Sequence, residues 1–533
     1  MTETALPPLI QQMLEPTFYP HPVFNPATIP GDRPRLETEE FYPAAEPPVL
    51  LLQTHVSYVL LTGDYAYKLK KPVNFGFLDY STLEKRKHFC EEELRLNQRS
   101  AAELYLEVVP ITKTDDHYQL GGEGEPVEYV VKMRQFPQDT LLTALYDRGE
   151  LTEELLEQLA KELAAFHRQA ATSDYIRSFG TVEQIRQAID ENYEQTEKYV
   201  GGPQTQAQLD ATRAYTDRLF AERADIFADR VTRDLIRECH GDVHLRNIAY
   251  WQDRIWLFDC IEFNEPFRFV DVMFDIAYIV MDLDARDRRD LSNRFLNAYL
   301  EQMGDWQGLQ VLPLYLSRQS YVRAKVTSFL LDDPSVPEAA KQEAKETAAR
   351  YYRLAWEYTQ RPTQGKLLLM SGLSGSGKST TARYLAQTLN AIHIRSDAVR
   401  KHLVGISLSD RGGDEIYTPE MTQKTYNRLL QLGTTLAAEG YTVILDAKYD
   451  QQALRGAAIA QATEQQIPLT IVHCHAPVET LKERLNQRTG DIADATTEVM
   501  LKQVMEPFDA EEQPHVLLVD TTQPLPEQLS SLI

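Results

Sequence analysis

One octapeptide limits what this chain can fold into more than any other part of the sequence. It reads Gly372-Leu373-Ser374-Gly375-Ser376-Gly377-Lys378-Ser379 and fits the pattern G-x-x-x-x-G-K-[ST]. The apolar run Lys366–Ser371 precedes it and a helical pattern follows, so the motif predicts a strand, a tight loop and a helix in succession. Glycines at this spacing let backbone N–H groups face phosphate oxygens, and the N-terminus of the following helix adds partial positive charge.

The chain after residue 365 alternates apolar strands with helices, which predicts a parallel sheet with helices on both faces. The predicted strands are Lys366–Ser371, Ala391–Ser396, Tyr441–Asp446, Leu469–His475 and Val516–Asp520. A cluster of helix-breaking residues over 361–365 precedes the first strand. We therefore expect a C-terminal domain of the P-loop type over 366–533.

The chain before this domain divides by pattern into three parts. Residues 1–48 contain 11 of the 28 prolines, which predicts an extended or irregular segment with one short helix at Leu9–Leu14. A β-rich lobe should follow, with a hairpin turn at Gly63-Asp64, and helical periodicity dominates from Leu151 to about Thr359. The strands and helix expected in the β-rich lobe are 49–53, 55–62, 65–70, 83–98 (the helix), 104–112 and 127–136, and two more short strands are expected at 247–250 and 255–258. We assign 49–345 to one α+β domain with a small β-rich lobe and a large helical lobe, and 346–365 to a helix end and linker.

The C-terminal motif predicts ATP and Mg²⁺ as ligands. Lys378 can reach the β- and γ-phosphates, and Ser379 can ligate magnesium. Asp446 ends an apolar strand and could bind the same ion through water, although a strand-end Asp caps the next loop at least as often. The predicted nucleotide-binding residues of the loop are Gly372, Ser374, Gly375, Ser376, Gly377, Lys378, Ser379 and Thr380.

Two further patterns in this domain predict where the acceptor and the phosphates bind. Asp397 follows the second strand at the carboxyl edge of the sheet, so it can accept a hydroxyl proton; its alternative role is that of a helix N-cap. Arg400 can bind an anionic substrate. Arg484 and Arg488 are spaced i, i+4 on one helix face, which suits a phosphate lid or, alternatively, a solvated basic face.

A second set of polar residues has the spacing of a kinase catalytic loop. Asp242 and Asn247 lie in His240-Gly241-Asp242-Val243-His244-Leu245-Arg246-Asn247, and Asp259 ends a strand 12 residues after Asn247. In this pattern Asp242 accepts the proton of the attacked hydroxyl, while Asn247 and Asp259 bind magnesium. We expect His240 to be a structural hydrogen-bonding residue.

An upstream strand supplies the matching phosphate-binding lysine. Tyr65-Ala66-Tyr67-Lys68 has the form of V-A-I-K, so Lys68 would pair with the α- and β-phosphates. The following helix offers Glu91, Glu92 and Glu93 as the partner of this lysine, and we favour Glu93, with Glu92 close behind. The sequence does not decide which helix face is turned to the lysine.

Residues 366–533 resemble the P-loop small-molecule kinases related to gluconate kinase, zeta toxin and polynucleotide 5′-kinase, in which a Ser-Asp-x-x-Arg element recurs. The resemblance implies that Asp397 is the base for the acceptor hydroxyl and that Arg484 and Arg488 form the lid. The chain departs from these proteins at Lys448, where members often carry a small hydroxyl residue.

Residues 50–345 resemble the aminoglycoside phosphotransferase family, which has a kinase-like fold and includes kinases for choline and other small hydroxylated metabolites. The specific part is H-G-D-x-H-x-x-N at 240–247. Two departures are the absence of a G-x-G-x-x-G loop before Lys68 and the segment Cys260-Ile261-Glu262 after Asp259. The whole architecture resembles a bacterial family in which such a domain is fused to an ATP-binding kinase domain.

The composition of the chain restricts which nucleic-acid and membrane partners we expect. The net charge of −24 argues against a general nucleic-acid coat, so nucleic acid is expected at most at the C-terminal domain, in a basic cleft around Arg395, Arg400 and Lys401. The N-terminus has no signal pattern, no apolar run approaches the ~18 residues that cross a bilayer, and no CxxC pair occurs. These features predict a cytoplasmic protein without a membrane partner, and they do not indicate an oligomeric state.

Three functions fit these patterns. The leading hypothesis is a bifunctional ATP- and Mg²⁺-dependent phosphotransferase, in which each domain transfers the γ-phosphate to a hydroxyl of a small molecule. The second is a C-terminal polynucleotide or nucleoside kinase with a substrate-carrying N-terminal domain. The third is a non-catalytic nucleotide-sensing switch, against which the carboxylates Asp242, Asp259 and Asp397 argue.

Overall fold

The computed structural model describes residues 6–24, 48–360, 362–487, 492–493 and 496–533. Most of the predicted proline-rich segment, and Arg488, lie outside these residues. By packing, the chain forms two compact units. The first comprises Met1–Leu151, Phe166–Thr181 and Arg230–Tyr278, and the second comprises Thr152–Ala165, Val182–Asp229 and Ile279–Ile533. This division differs from the one drawn from the motifs, which stays a prediction.

Among the described residues up to Asp284, the chain contains ten strands and ten helices. In chain order they are α1 (Pro8–Met13), β1 (Leu50–Gln53), β2 (Ser57–Leu61), β3 (Tyr65–Lys70), α2 (Leu83–Ala101), β4 (Tyr105–Thr114), β5 (His117–Leu120), β6 (Pro126–Arg134), α3 (Leu142–Asp147), α4 (Glu153–Gln169), α5 (Asp174–Arg177), α6 (Val182–Thr196), α7 (Gln206–Glu222), α8 (Ala224–Thr232), β7 (Ile236–Glu238), β8 (Ile248–Trp251), β9 (Arg254–Leu257), α9 (Glu265–Arg268), β10 (Phe269–Asp271) and α10 (Val272–Asp284).

The rest of the chain contains three helices followed by strands that alternate with helices. They are α11 (Arg289–Met303), α12 (Leu312–Phe329), α13 (Glu338–Glu357), β11 (Lys366–Ser371), α14 (Lys378–Leu389), β12 (Ile392–Arg395), α15 (Ser396–Val404), α16 (Pro419–Ala438), β13 (Thr442–Asp446), α17 (Gln452–Glu464), β14 (Leu469–His475), α18 (Val478–Gln487), α19 (Thr497–Leu501), β15 (Val516–Asp520) and α20 (Leu525–Leu529).

The first unit is built on a six-stranded antiparallel sheet with the strand order β1-β2-β3-β6-β4-β5. The predicted hairpin is confirmed, because β2 pairs with β3 across the turn at Gly63. Helix α1 lies close to its predicted position, and its buried side chains Ile10 and Met13 pack with Leu60 and Tyr67 of the hairpin. Helix α1 thus packs on one face of the sheet that carries Lys68.

Three strands of this unit were not predicted. Strand β5 pairs with β4, and β7 pairs with β10. Strands β7 and β10 are three residues each, too short to produce an alternating pattern in the sequence. They matter for function, because β7 leads into the segment that carries Asp242.

The second unit contains a five-stranded parallel sheet with the order β12-β13-β11-β14-β15, which confirms the predicted sheet. Strand β11 lies in the centre, and its side chains Leu368 and Met370 are buried with Ile444 and Val472 of the neighbouring strands. The loop after β11 therefore emerges at the middle of the carboxyl edge, where parallel sheets bind ligands.

A buried ion pair attaches the segment before β15 to helix α17. The Arg455 guanidinium is fully buried and donates to both carboxylate oxygens of Glu512, at 2.7 and 3.0 Å. It also donates to the carbonyl oxygens of Glu506 and Pro507, each at 3.2 Å. Removing one charge would leave the other buried without a counter-charge.

Arg455→Met should therefore lower the free energy of unfolding by about 3–5 kcal/mol, measured by urea denaturation followed by circular dichroism. The double variant Arg455→Met/Glu512→Leu should lose less, because no uncompensated charge remains. Equal stability of the single variant and the unmodified chain would contradict a structural role for this pair.

Candidate active sites

A lysine and two carboxylates meet in the first unit. The Nζ of Lys68, on β3, lies 2.7 Å from Asp259 Oδ1 and 2.8 Å from Glu93 Oε1. Three of the residues singled out from the sequence are therefore brought together, and Glu93 rather than Glu92 faces the lysine. Glu92 instead pairs with Arg95 at 2.8 Å.

The carboxylate of Glu93 also contacts a second lysine that sequence reasoning missed. Lys70 Nζ lies 2.6 Å from Glu93 Oε2 and forms a short ion pair with Glu262, which also accepts a hydrogen bond from the Tyr80 hydroxyl. Lys70 and Glu93 are buried. The spacing was the available signal, since residues i and i+2 of a strand share one face.

Burial and neighbouring charges shift the pKa values of these groups in opposite directions. Burial alone would raise the pKa of Glu93, but the charges of Lys68 and Lys70 outweigh it and hold this pKa below its usual value. Burial alone would lower the pKa of Lys70, but the charges of Glu262 and Glu93 raise it. Burial alone would also raise the pKa of Asp259, but the charge and hydrogen bond of Lys68, with more distant positive charges, together lower it. Each of these three shifts favours the charged form of its group.

The loop that carries Asp242 is attached by its backbone to a buried carboxylate. Asp275 accepts hydrogen bonds from the backbone N–H groups of His240 and Gly241, at 2.9 and 2.8 Å, and contacts His167 Nε2 at 3.1 Å. Gly241 has a φ of +86°, and a Cβ there would lie 2.7 Å from the carbonyl oxygen of Phe267. Asp275 was not singled out from the sequence, where it is one of three aspartates in an otherwise apolar helix.

Asp242 and Asn247 lie side by side. Asn247 Nδ2 donates to the backbone oxygen of Asp242 at 3.0 Å and to its carboxylate at 3.3 Å, which leaves Asn247 Oδ1 as an acceptor for a cation. The carboxylate of Asp242 is about one-third exposed, at 34%. His240 Nε2 contacts the carbonyl oxygen of Phe258 at 2.9 Å, so it links this loop to the segment of Asp259. This contact fits the structural role predicted for His240.

In the second unit, the glycine-rich loop has the conformation that its sequence predicts. Gly372 and Gly377 have φ values of +134° and +89°, and a Cβ on Gly372 would lie 2.3 Å from the carbonyl oxygen of Cys474. Helix α14 begins at Lys378, whose Nζ donates to the carbonyl oxygen of Leu373 at 2.8 Å. Burial lowers the pKa of Lys378. Thr380 is exposed in the first turn of α14.

Oxygen ligands for a cation lie beside this loop. Asp446, at the end of β13, accepts hydrogen bonds from the Ser379 hydroxyl and from His393, whose Nε2 is 3.0 Å from Asp446 Oδ2. Burial alone would raise the pKa of Asp446, but these bonds and the charges of His393 and Arg395 lower it to about 2. Hydroxyl and carboxylate oxygens are the ligands that Mg²⁺ prefers, so this pair fits the ion.

The loop also fits a phosphate group. The buried Oγ of Ser376 has no hydrogen-bond partner in the part of the chain that the structure describes. Gln503 contacts the loop from outside, accepting from Ser374 N at 2.9 Å and donating to Ser374 Oγ at 3.0 Å. Arg484 donates to Thr521 Oγ1 at 2.8 Å and lies 3.4 Å from the carbonyl oxygen of Gly375. Arg484 therefore lies next to the phosphate-binding loop, while its predicted companion Arg488 falls outside the described residues.

The predicted acceptor residues are neighbours. Arg400 lies 3.3 Å from Asp397 Oδ1 and stacks on Tyr417, with 4.8 Å between its guanidinium carbon and the ring centroid. Arg400 is buried, and its Nε has no hydrogen-bond partner among the described residues. Helix α15 begins at Ser396, so Asp397 lies in its first turn and is not its N-cap.

Two family models match the chain. The model described as the phosphotransferase enzyme family matches residues 85–312, and the model described as an AAA domain matches residues 367–508. Uncharacterized proteins of Mycobacterium tuberculosis and Mycobacterium bovis are 30% identical over 458 residues, which is 85% of this chain and 89% of theirs.

Two solved structures are among those similar to parts of the chain. One is a choline/ethanolamine kinase family protein from Mesorhizobium loti, with 12% identity and a TM-score of 0.35, covering 58% of this chain and 92% of that one. The other is a gluconokinase from Sinorhizobium meliloti, with 23% identity and a TM-score of 0.24, covering 32% of this chain and 95% of that one.

The two family models and the two sites together indicate which reaction the chain catalyses. The chain is an ATP-dependent kinase that catalyses phosphoryl transfer. Within the described residues, no helix combines the length and the apolar character that crossing a bilayer requires. With its phosphotransferase segment followed by a P-loop kinase segment, the chain belongs to one family with these mycobacterial proteins.

Proposed function

We propose that the chain is a bifunctional, Mg²⁺-dependent phosphotransferase. Its two domains, 49–345 and 366–533, would each transfer the γ-phosphate of ATP to a hydroxyl group of a small molecule. The observation that carries this proposal is that each unit has its own complete set of groups: Lys68 with Glu93 and Asp259 in one, and the 372–379 loop with Asp446 in the other. Phosphoryl transfer needs mainly positioning and charge neutralisation, and each set supplies both.

In the first domain, Asp242 is the proposed proton acceptor. Its carboxylate is partly exposed and receives a hydrogen bond from Asn247, so it is oriented yet open to a hydroxyl group. Lys68, fixed by Glu93, would bind the α- and β-phosphates. Mg²⁺, when bound by Asn247 and Asp259, would supply positive charge against the phosphate oxygens.

In the second domain, Asp397 is the proposed proton acceptor and Lys378 the phosphate ligand. Lys378 Nζ donates to a carbonyl oxygen of its own loop, so binding requires only that its side chain exchange this bond for one to a phosphate oxygen. Asp446 and Ser379 would hold the ion. The buried Arg400, whose Nε has no hydrogen-bond partner within the described parts of the chain, supports an acceptor that carries an anionic group.

The structure does not favour nucleic acid as that acceptor. A strand-binding cleft needs cations that are free to reach the backbone. Lys401 is buried and donates to the carbonyl oxygens of Leu408 and Asp410, at 3.1 and 2.7 Å. Arg395 lies 3.8 Å from Glu301. Small-molecule acceptors are best sought by incubating the chain with metabolite extracts and γ-labelled ATP.

Glu93→Gln should weaken ATP binding at the first site at least tenfold, because Lys68 and Lys70 lose the carboxylate between them. Isothermal calorimetry with an ATP analogue, in a Lys378→Ala background, measures this affinity. Glu92→Gln is the matched control, since Glu92 pairs with Arg95 and not with Lys68, and should change the affinity less than twofold. Equal losses in both variants would mean that the Glu93 contact does not position Lys68.

Asp242→Asn should lower phosphoryl transfer at the first site by about 10²–10⁴-fold and leave ATP affinity nearly unchanged, because only the proton acceptor is lost. Asp259→Asn should instead weaken Mg²⁺-dependent ATP binding. ATP titrations at several magnesium concentrations, with turnover on an acceptor from the screen, separate the two variants. The assignment of base and metal ligand is wrong if both lose ATP affinity equally.

Lys378→Ala should abolish transfer at the second site and leave the first site active, and Lys68→Ala should do the reverse. The reason is that the two lysines belong to separate phosphate-binding sets. Labelled products from the same extract, resolved by chromatography, should therefore fall into two groups, each lost in one variant. Loss of all products in either variant would refute two independent activities.

A further inference from the structure

Given the function proposed for the second site, on which this role rests, the magnesium carboxylate Asp446 has a supporting contact from the neighbouring strand β12. Strand β12 is the edge strand of the parallel sheet, so its outward backbone groups have no neighbouring strand. Helix α11 covers them instead. The Oδ1 of Asn297 accepts a hydrogen bond from the backbone N–H of His393 at 2.7 Å, and its Nδ2 donates to the carbonyl oxygen of Ala391 at 3.0 Å.

The contact continues along one face of α11. Asn293, one turn before Asn297, also donates to the carbonyl oxygen of Ala391 at 3.0 Å. Glu301, one turn after it, accepts at its backbone oxygen from His402 Nε2 at 2.7 Å. Residues spaced by four lie on the same side of a helix, so α11 presents a continuous polar edge to β12 and α15.

His393 connects this contact to the active site. Its backbone is fixed by Asn297, and its Nε2 lies 3.0 Å from Asp446 Oδ2. An ionised carboxylate only accepts hydrogen bonds, so His393 must carry the proton on Nε2. One carboxylate oxygen of Asp446 is therefore occupied in a defined direction, which orients the other towards a cation.

We propose that His393 is a positioning residue for Asp446, and that Asn297 of helix α11 places His393 for this purpose. Hydrogen-bond partners of a metal-binding carboxylate restrict its rotation, and their loss typically lowers metal affinity 10–100-fold. The helix that supplies this support lies within the segment that matches the phosphotransferase family model, 85–312. The P-loop kinase segment would thus depend on the preceding segment for its full Mg²⁺ affinity.

The test uses the full chain with Lys68→Ala, so that only the second site binds nucleotide. The binding of a non-hydrolysable ATP analogue is measured by calorimetry over a series of Mg²⁺ concentrations and again in EDTA. His393→Leu should raise the Mg²⁺ concentration for half-maximal binding by about 10–100-fold, with unchanged affinity in EDTA. His393→Gln should stay near the parent chain, because its amide can still donate to Asp446.

Two asparagine variants test the role of the helix. Asn297→Ala should raise the Mg²⁺ requirement as His393→Leu does, but by a smaller factor. If His393→Leu does not fold, Asn297→Ala provides the test in its place. Asn293→Ala is the control on the same helix face: it removes a bond to Ala391 and the hydrogen bond that Asn293 Oδ1 accepts from Asn297 Nδ2 at 3.0 Å, and it leaves both bonds of His393 in place. It should change the Mg²⁺ requirement less than Asn297→Ala does.

The proposal is overturned if His393→Leu changes the Mg²⁺ requirement no more than Asn293→Ala does, or if it weakens binding equally with and without magnesium. The second result would indicate a general structural role. If the Lys68→Ala chain itself shows no Mg²⁺-dependent binding, the function proposed for the second site fails, and the positioning role fails with it.

Discussion

The carboxylate of Glu93 lies between the ammonium groups of Lys68 and Lys70, and the geometry of the first site depends on that contact. Burying these charges carries a large desolvation cost, which only close pairing and further hydrogen bonds can offset. Glu262 and Tyr80 provide them on the side of Lys70. The consequence is that Lys68, the proposed phosphate-binding lysine, is held in one direction before any nucleotide binds, so little ordering remains to be done on binding.

In the second site, the groups proposed to contact phosphate are also fixed in direction, but mainly by the backbone. Its proposed anion-binding groups are mainly backbone N–H groups, which a loop with positive φ at Gly372 and Gly377 can turn to one side. The side chains that remain have restricted positions: Lys378 on its own loop, and Asp446 between Ser379 and His393. In one unit charge pairs set the direction of a lysine, and in the other backbone conformation sets the direction of the N–H groups.

The parts of the fold and the sites that could be predicted from the sequence are those whose functional residues lie close together in the chain. The loop at 372–379, the strand ending at Asp446 and the Asp242–Asn247 spacing each place residues within a few positions of one another, and the observed strands and helices around them agree. The choice between Glu92 and Glu93 was open, because it depends on the rotation of α2 against the sheet. The contact of Lys70 with Glu262 spans 192 positions, and no local pattern indicates such a pair.

His393 and Asn297 likewise could not be recognised as site residues from the sequence. In the sequence His393 is one polar residue within a short apolar strand, and a histidine there has no particular meaning. Its role follows from the edge position of β12 and from the packing of α11 along that edge. Such tertiary contacts decide how well a site works, whereas the motifs indicate only which chemistry it performs.

If both proposed sites bind ATP, one chain holds two nucleotides. Native mass spectrometry of the full chain with a non-hydrolysable ATP analogue and Mg²⁺ counts the bound nucleotides directly. We expect two nucleotides per chain at saturation, one in Lys68→Ala, one in Lys378→Ala and none in the double variant. A single bound nucleotide in the unmodified chain, lost in both single variants, would contradict this expectation.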